Sequence, residues 1–175
     1  MRRTALAFGI LLCACHPTID FDLTQSATGT IPRVPPPLPI PPGPVTLTLP
    51  IPQLQNINSS NLQGFPSSQT AKDHIQSARA KKITLTVTSP AGRDLSFLTD
   101  VTLTISAPGQ PTKQFAHLSP FPAATSADLQ LDDVDLAPYL KADAFSITPT
   151  VTGTPQRQDV AIKADLDLGV TASLF

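Results

Sequence analysis

The side chains able to do covalent or coordination chemistry are few. Cys13 and Cys15 are the two cysteines, His16, His74 and His117 the three histidines, and all 13 acidic residues are Asp. The thiolate is the nucleophilic form of cysteine, and both cysteines stand near the N-terminus within Leu12-Cys13-Ala14-Cys15. A zinc site needs three or four ligands at fixed spacing. Beyond residue 16 such a site would have to draw on His74, His117 and Asp, and partly exposed structural roles suit these histidines better. Serine catalysis needs Ser, His and Asp brought together by folding; no Gly-x-Ser-x-Gly elbow, phosphate loop or zinc-helix motif is present. Asp132, Asp133 and Asp135 form the densest carboxylate group. Calcium favours clustered oxygens, but EF-hand spacing is missing and Asp is a common helix cap, so capping is the expected role. No catalytic, metal or cofactor-binding residue is assigned, and no cofactor is expected.

The cysteines follow a recognisable order. Met1-Arg2-Arg3 precedes an apolar run over residues 4–12 and then small residues, which is the charged, apolar and cleavage order of a secretory signal. The run is too short for the ~20 residues of a membrane-crossing helix. Leu12-Cys13-Ala14-Cys15 resembles the lipobox of bacterial lipoproteins, in which Leu, a small residue and Ala or Gly precede an invariant Cys. The resemblance implies cleavage after Ala14, a diacylglyceryl group on the Cys15 sulfur and a further acyl chain, palmitate for example, on the new amine. Two or three chains hold a protein lastingly at a membrane. His16, where enterobacterial lipoproteins retained at the inner membrane carry Asp, implies an outer-membrane location.

Loss of residues 1–14 would leave 175 − 14 = 161 residues, enough for one core. The charge balance would be 10 − 13 = −3 once Arg2 and Arg3 are gone, giving no electrostatic reason to bind nucleic acid. Cys13 would leave with the signal and Cys15 would be lipidated, so packing alone must stabilise the domain. Glu is absent while Thr, Val and Pro abound, which disfavours helices and favours strands. With no Trp and one Tyr, the stacking surface that sugars and bases use is scarce.

These groups must be positioned by strands. Ile19, Phe21 and Leu23 alternate with polar residues, the period of a half-buried strand. Residues 32–44 hold eight prolines and predict an extended polyproline segment, acting as a spacer or an edge-covering strap. Residues 45–51 alternate again, but Pro50 confines that strand to an edge or a bulge. Residues 53–68 read as loop. Thr70 predicts the start of a helix running to about Ala80, with Ala71, Ile75 and Ala78 on one face. Strands follow at 83–87, 101–105, 114–118, 127–131 and 144–152, with a capped helical turn through Tyr139 and Leu140. From Val160 to Leu174 every even-numbered residue is apolar, and a bulge or change of sheet is expected near Gly169.

About eight short strands predict an all-β fold, an antiparallel β-sandwich of immunoglobulin-like or jelly-roll type with one or two short helices. The organisation expected is a signal peptide at 1–14, a lipid-anchored strand and proline-rich spacer at 15–44, and the sandwich at 45–175. Residues 83–175 also loosely resemble the β-rich domains of uncharacterised envelope lipoproteins. The function that the resemblance implies is a membrane-anchored structural or binding module of the bacterial cell envelope. Its partners would be the membrane, through Cys15, and an envelope protein, with no nucleic acid. The alternative is an envelope hydrolase in which His74 or His117 meets a Ser and an Asp. A third reading, an outer-membrane barrel, is disfavoured because Phe175 is out of phase with Leu174 and Ala172.

Overall fold

A computed structural model describes residues 17–49, 51–65 and 70–173. The alternating stretches become strands: β1 (Thr18–Ile31), β2 (Val45–Thr48), β3 (Ile75–Ser89), β4 (Leu98–Ala107), β5 (Gln110–Leu118), β6 (Ser126–Asp128), β7 (Gln130–Leu131), β8 (Ser146–Gly153) and β9 (Val160–Ser173). Two four-residue helices, α1 (Thr70–Asp73) and α2 (Ala137–Leu140), sit in the connections. One sheet has the order β1-β9-β3-β6 and the other β2-β8-β4-β5-β7. Every pairing is antiparallel, and the pairs nest: β1 with β9, β2 with β8, β3 with β6, β4 with β5. A long hairpin wound into two facing sheets is a jelly roll. The expected all-β sandwich is therefore observed, with the jelly-roll winding of the two architectures foreseen. Both sheets finish on edge strands and form no closed barrel.

β9 is an inner strand of the first sheet, between β1 and β3. Its even-numbered residues, from Val160 to Ala172, are buried, as the sequence parity requires. They meet Leu23 and Ile31 of β1, Ile83 and Leu85 of β3, and the inner residues Val101, Leu103, Ile105, Ile147 and Val151 of the other sheet in one core. β1 pairs with β9 along all of its length, from Thr18 opposite Ser173 to Ile31 opposite Val160. The sandwich thus takes in β1, which corrects the domain start expected at residue 45. β2 is an edge strand that stops before Pro50, as that proline demands.

Three expectations about elements are corrected. The helix expected from Thr70 to Ala80 is one turn, after which β3 begins at Ile75. Irregularities between Ile75 and Ser77 and between Ala80 and Lys82 shift the strand's parity, so buried Ile75 and Ala78 stand three apart as they would on a helix. Gly169 marks no bulge in β9. The irregularity lies opposite it on β3, and a Cβ at Gly169 would sit 2.5 Å from Lys81 Cε, so glycine admits the lysine stem. The strand expected over 127–131 is split, with β6 in one sheet and β7 in the other, because the Leu129 N–H turns to the Ile83 carbonyl between them.

Candidate functional site

The two ends of the jelly roll differ. At the end where β3 begins and β9 finishes, α2 seals the sandwich. Asp135 Oδ1 accepts from the N–H groups of Ala137 and Ala78, both at 3.0 Å, tying the first turn of α2 to β3. The N-cap position itself is held by Leu136, without a side-chain cap, so Asp135 serves α2 from one residue before the cap and adds a tie across the chain. Leu136, Tyr139 and Leu140 are buried there. The Tyr139 hydroxyl donates to the Pro111 carbonyl at 2.7 Å, and burial raises the phenol pKa. Ser59, fully buried, donates to the Leu140 carbonyl at 2.7 Å.

At the other end lies an apolar cavity of about 250 Å³. Its floor is built by Ile31 at the end of β1, Val45 and Leu47 of β2, Phe97 and Leu98 at the start of β4, and Val151 near the end of β8. Its roof is the proline-rich segment, through Pro32, Arg33, Val34, Pro35 and Pro41. Proline has no N–H to join a sheet ladder, so this segment is held by the few donors it retains and by its carbonyls. Arg33 N–H donates to Asp159 Oδ1 and Val34 N–H to the Gln156 carbonyl, each at 2.8 Å. Arg157 Nη1 donates to the carbonyls of Leu38 at 2.8 Å and Val34 at 3.4 Å. Of the two roles foreseen for this segment, the structure gives it that of a strap. A strap held at its rim by loop 154–159 cannot interdigitate with the strands beneath it, and a cavity remains.

One arginine lines this pocket and two more touch its lining residues. Arg33 forms part of the wall. Arg93 lies over the Phe97 ring, 5.2 Å from its centroid, and donates to Gln156 Oε1. Arg157 holds the strap as described. Asp94 stands beside Arg93; bonds from the Ser96 hydroxyl and N–H hold its carboxyl below the usual range.

The residues singled out in the sequence do not converge. His74 Nδ1 lies 3.4 Å from Ser173 Oγ, a residue of β9 with no carboxylate completing the set. His117 Nδ1 is buried 3.2 Å from Asp132 Oδ1 but lacks the geometry of a hydrogen bond to it, and no serine hydroxyl bonds to it. His74 lies in the turn before β3 and His117 on β5, and among the described residues neither meets both a Ser and an Asp as the hydrolase alternative requires. The three clustered aspartates turn to separate partners, Asp132 to Gln114 and the His117 ring, Asp133 to Arg79, and Asp135 to α2. Among the described residues no three His, Cys or Asp groups gather as metal ligands do. Cys15, His16, Leu174 and Phe175 fall outside the described residues. Among those described, no helix is long and apolar enough to cross a membrane.

The pocket has no local signature in the sequence. Its apolar floor residues were visible as strand positions, but Arg33, Arg93 and Arg157 are separated by 60 or more residues and carry no local motif.

No protein-family model and no curated protein matches the chain. Solved structures of similar shape include those of BFDV capsid protein. The 60-mer form is 10% identical, covering 91% of this chain and 95% of that one at a TM-score of 0.49. The decameric form is 12% identical, covering 89% and 99% at a TM-score of 0.44. These likenesses replace the one expected. They are to capsid proteins and not to bacterial lipoproteins, which corrects the lipoprotein reading and what was drawn from it: the membrane-anchored envelope function, the outer-membrane location, and a partner set of membrane and envelope protein without nucleic acid. With TM-scores below 0.5 they assign this chain no activity, location or partner of its own.

Proposed function

We propose that the chain is a non-catalytic binding domain that takes a small apolar group into the strap-roofed pocket at the open end of the jelly roll. The observation that carries this is the pocket itself, a concave space walled by Leu47, Phe97, Leu98 and Val151. Cavities lined by apolar side chains with a few polar groups at the rim are where small ligands bind. A volume of about 250 Å³ falls below the roughly 300–1,000 Å³ of sites for drug-sized molecules, so the occupant is small. A jelly roll hosts many functions, and the reading therefore rests on the site and not on the fold. Titration of the full chain with the neutral fluorophore N-phenyl-1-naphthylamine tests it. Saturable enhancement is expected, and Leu47→Trp, which fills the cavity from an edge strand, should abolish it with the thermal midpoint little changed. Enhancement that is absent, or indifferent to Leu47→Trp, would count against the pocket.

A further inference from the structure

We infer that the occupant is a small amphipathic anion, its alkyl chain in the cavity and its charged head among Arg33, Arg93 and Arg157; this rests on the binding role proposed above. Three arginines gather at one end of a chain whose formal net charge is −1. None of them lies within 4.0 Å of a carboxylate among the described residues, whereas Arg79, the other described arginine, pairs with Asp133. The exposed Lys81, Lys82 and Lys163 likewise each have an aspartate partner. Lys72, Lys113 and Lys141 have no carboxylate within 4.0 Å among the described residues either; what distinguishes Arg33, Arg93 and Arg157 is that they belong to, or touch residues of, one apolar pocket.

Two acidic groups share this rim, and both already serve the backbone. Asp159 accepts from the Arg33 N–H and Asp94 from the Ser96 N–H and hydroxyl. Both carboxylates are thus engaged, and neither is within 4.0 Å of any of the three guanidinium groups. Guanidinium presents several N–H donors in a fixed fork that matches a carboxylate. Arg157 and Arg93 use one donor nitrogen each on the strap carbonyls and Gln156; the Arg33 side chain makes no hydrogen bond among the described residues. An uncharged apolar occupant would leave these groups without use, and a small polar anion would leave the apolar wall without use. A short-chain carboxylate satisfies both.

Calorimetric titration of the full chain with octanoate, octan-1-ol and acetate separates these cases. Octanoate should bind at least about tenfold more tightly than octan-1-ol, the order expected of one charge-assisted hydrogen bond, and acetate should give no detectable heat. Arg33→Gln should remove most of that tenfold preference, read as the ratio of octanoate to octan-1-ol affinity within the same variant, so that any change in the wall common to both ligands cancels. Equal binding of octanoate and octan-1-ol overturns the anionic head while leaving the apolar pocket standing. Binding of neither octanoate nor octan-1-ol overturns both. An octanoate preference that survives Arg33→Gln, Arg93→Gln and Arg157→Gln taken one at a time and together overturns the assignment to these arginines.

Discussion

At one end of the sandwich a single helical turn drives Leu136, Tyr139 and Leu140 between the sheets; the Asp135 carboxylate accepts from backbone N–H groups around them, and the Ser59 and Tyr139 hydroxyls donate to backbone carbonyls. At the other end a chain rich in proline crosses the opening on hydrogen bonds from its rim, with Leu38 and Ile40 left exposed. A helix offers a compact apolar stripe that can plug a gap. A polyproline strap has no internal hydrogen bonds and a solvated backbone, so it covers without filling. One end of this fold is therefore organised for stability, while the other retains a cavity.

That contrast should be largest in stability. Tyr139→Ala removes a fully buried ring and is expected to cost about 3–5 kcal/mol, whereas Leu38→Ala on the strap should stay within about half a kcal/mol, as exposed substitutions do; urea unfolding of the two variants measures both. Equal losses would break the comparison. Next comes Ser59→Ala. It leaves the Leu140 carbonyl without its buried donor and should cost about 1–3 kcal/mol, read in the same assay.

Tyr139→Phe keeps the ring and loses the bond to Pro111, so about 1 kcal/mol is expected. It also carries a pH signature. Burial raises the phenol pKa in the folded protein, so the stabilisation is fully present below the unfolded value near 10 and is lost as pH rises toward the folded value. The native chain should weaken above about pH 10 more steeply than Tyr139→Phe does. Thermal midpoints across pH 9 to 11 compare them.

The smallest effect lies on the outer face of β9. Bonds from Lys163 and then Ser26 lower the Asp165 pKa, so its contribution is present above the unfolded value near 4 and is lost as pH falls through the lower folded value. The side chain is 39% exposed and solvent screens the pair. Asp165→Asn should therefore barely change stability at neutral pH and slightly flatten its decline in acid, a difference checked by midpoints between pH 2 and 5.

How much of this was legible in sequence varies by element. β9 was readable residue by residue, because an unbroken parity has one solution when one face is buried. β1 was readable only as far as Leu23; beyond it, Ala27 and Gly29 complete the inward row as small residues that carry no hydrophobic signal. β3 misled, since its irregularities turn a period of two into an apparent spacing of three. The pocket was not legible at all.

The sequence by itself determined the class of fold and the faces of its strands, because alternation is a local property set by backbone geometry. The abundance of Thr and Asp and the absence of Glu excluded a helical core for the same local reason. Only the tertiary structure decided that β1 pairs with β9 at the far end of the chain, that the strands wind as a jelly roll, and that the proline-rich segment becomes a strap. Those outcomes depend on which donors and acceptors meet across more than a hundred residues. Arg33 and Asp159, or Arg157 and Leu38, come together only once the sheets have formed, and no spacing in the linear chain encodes that meeting.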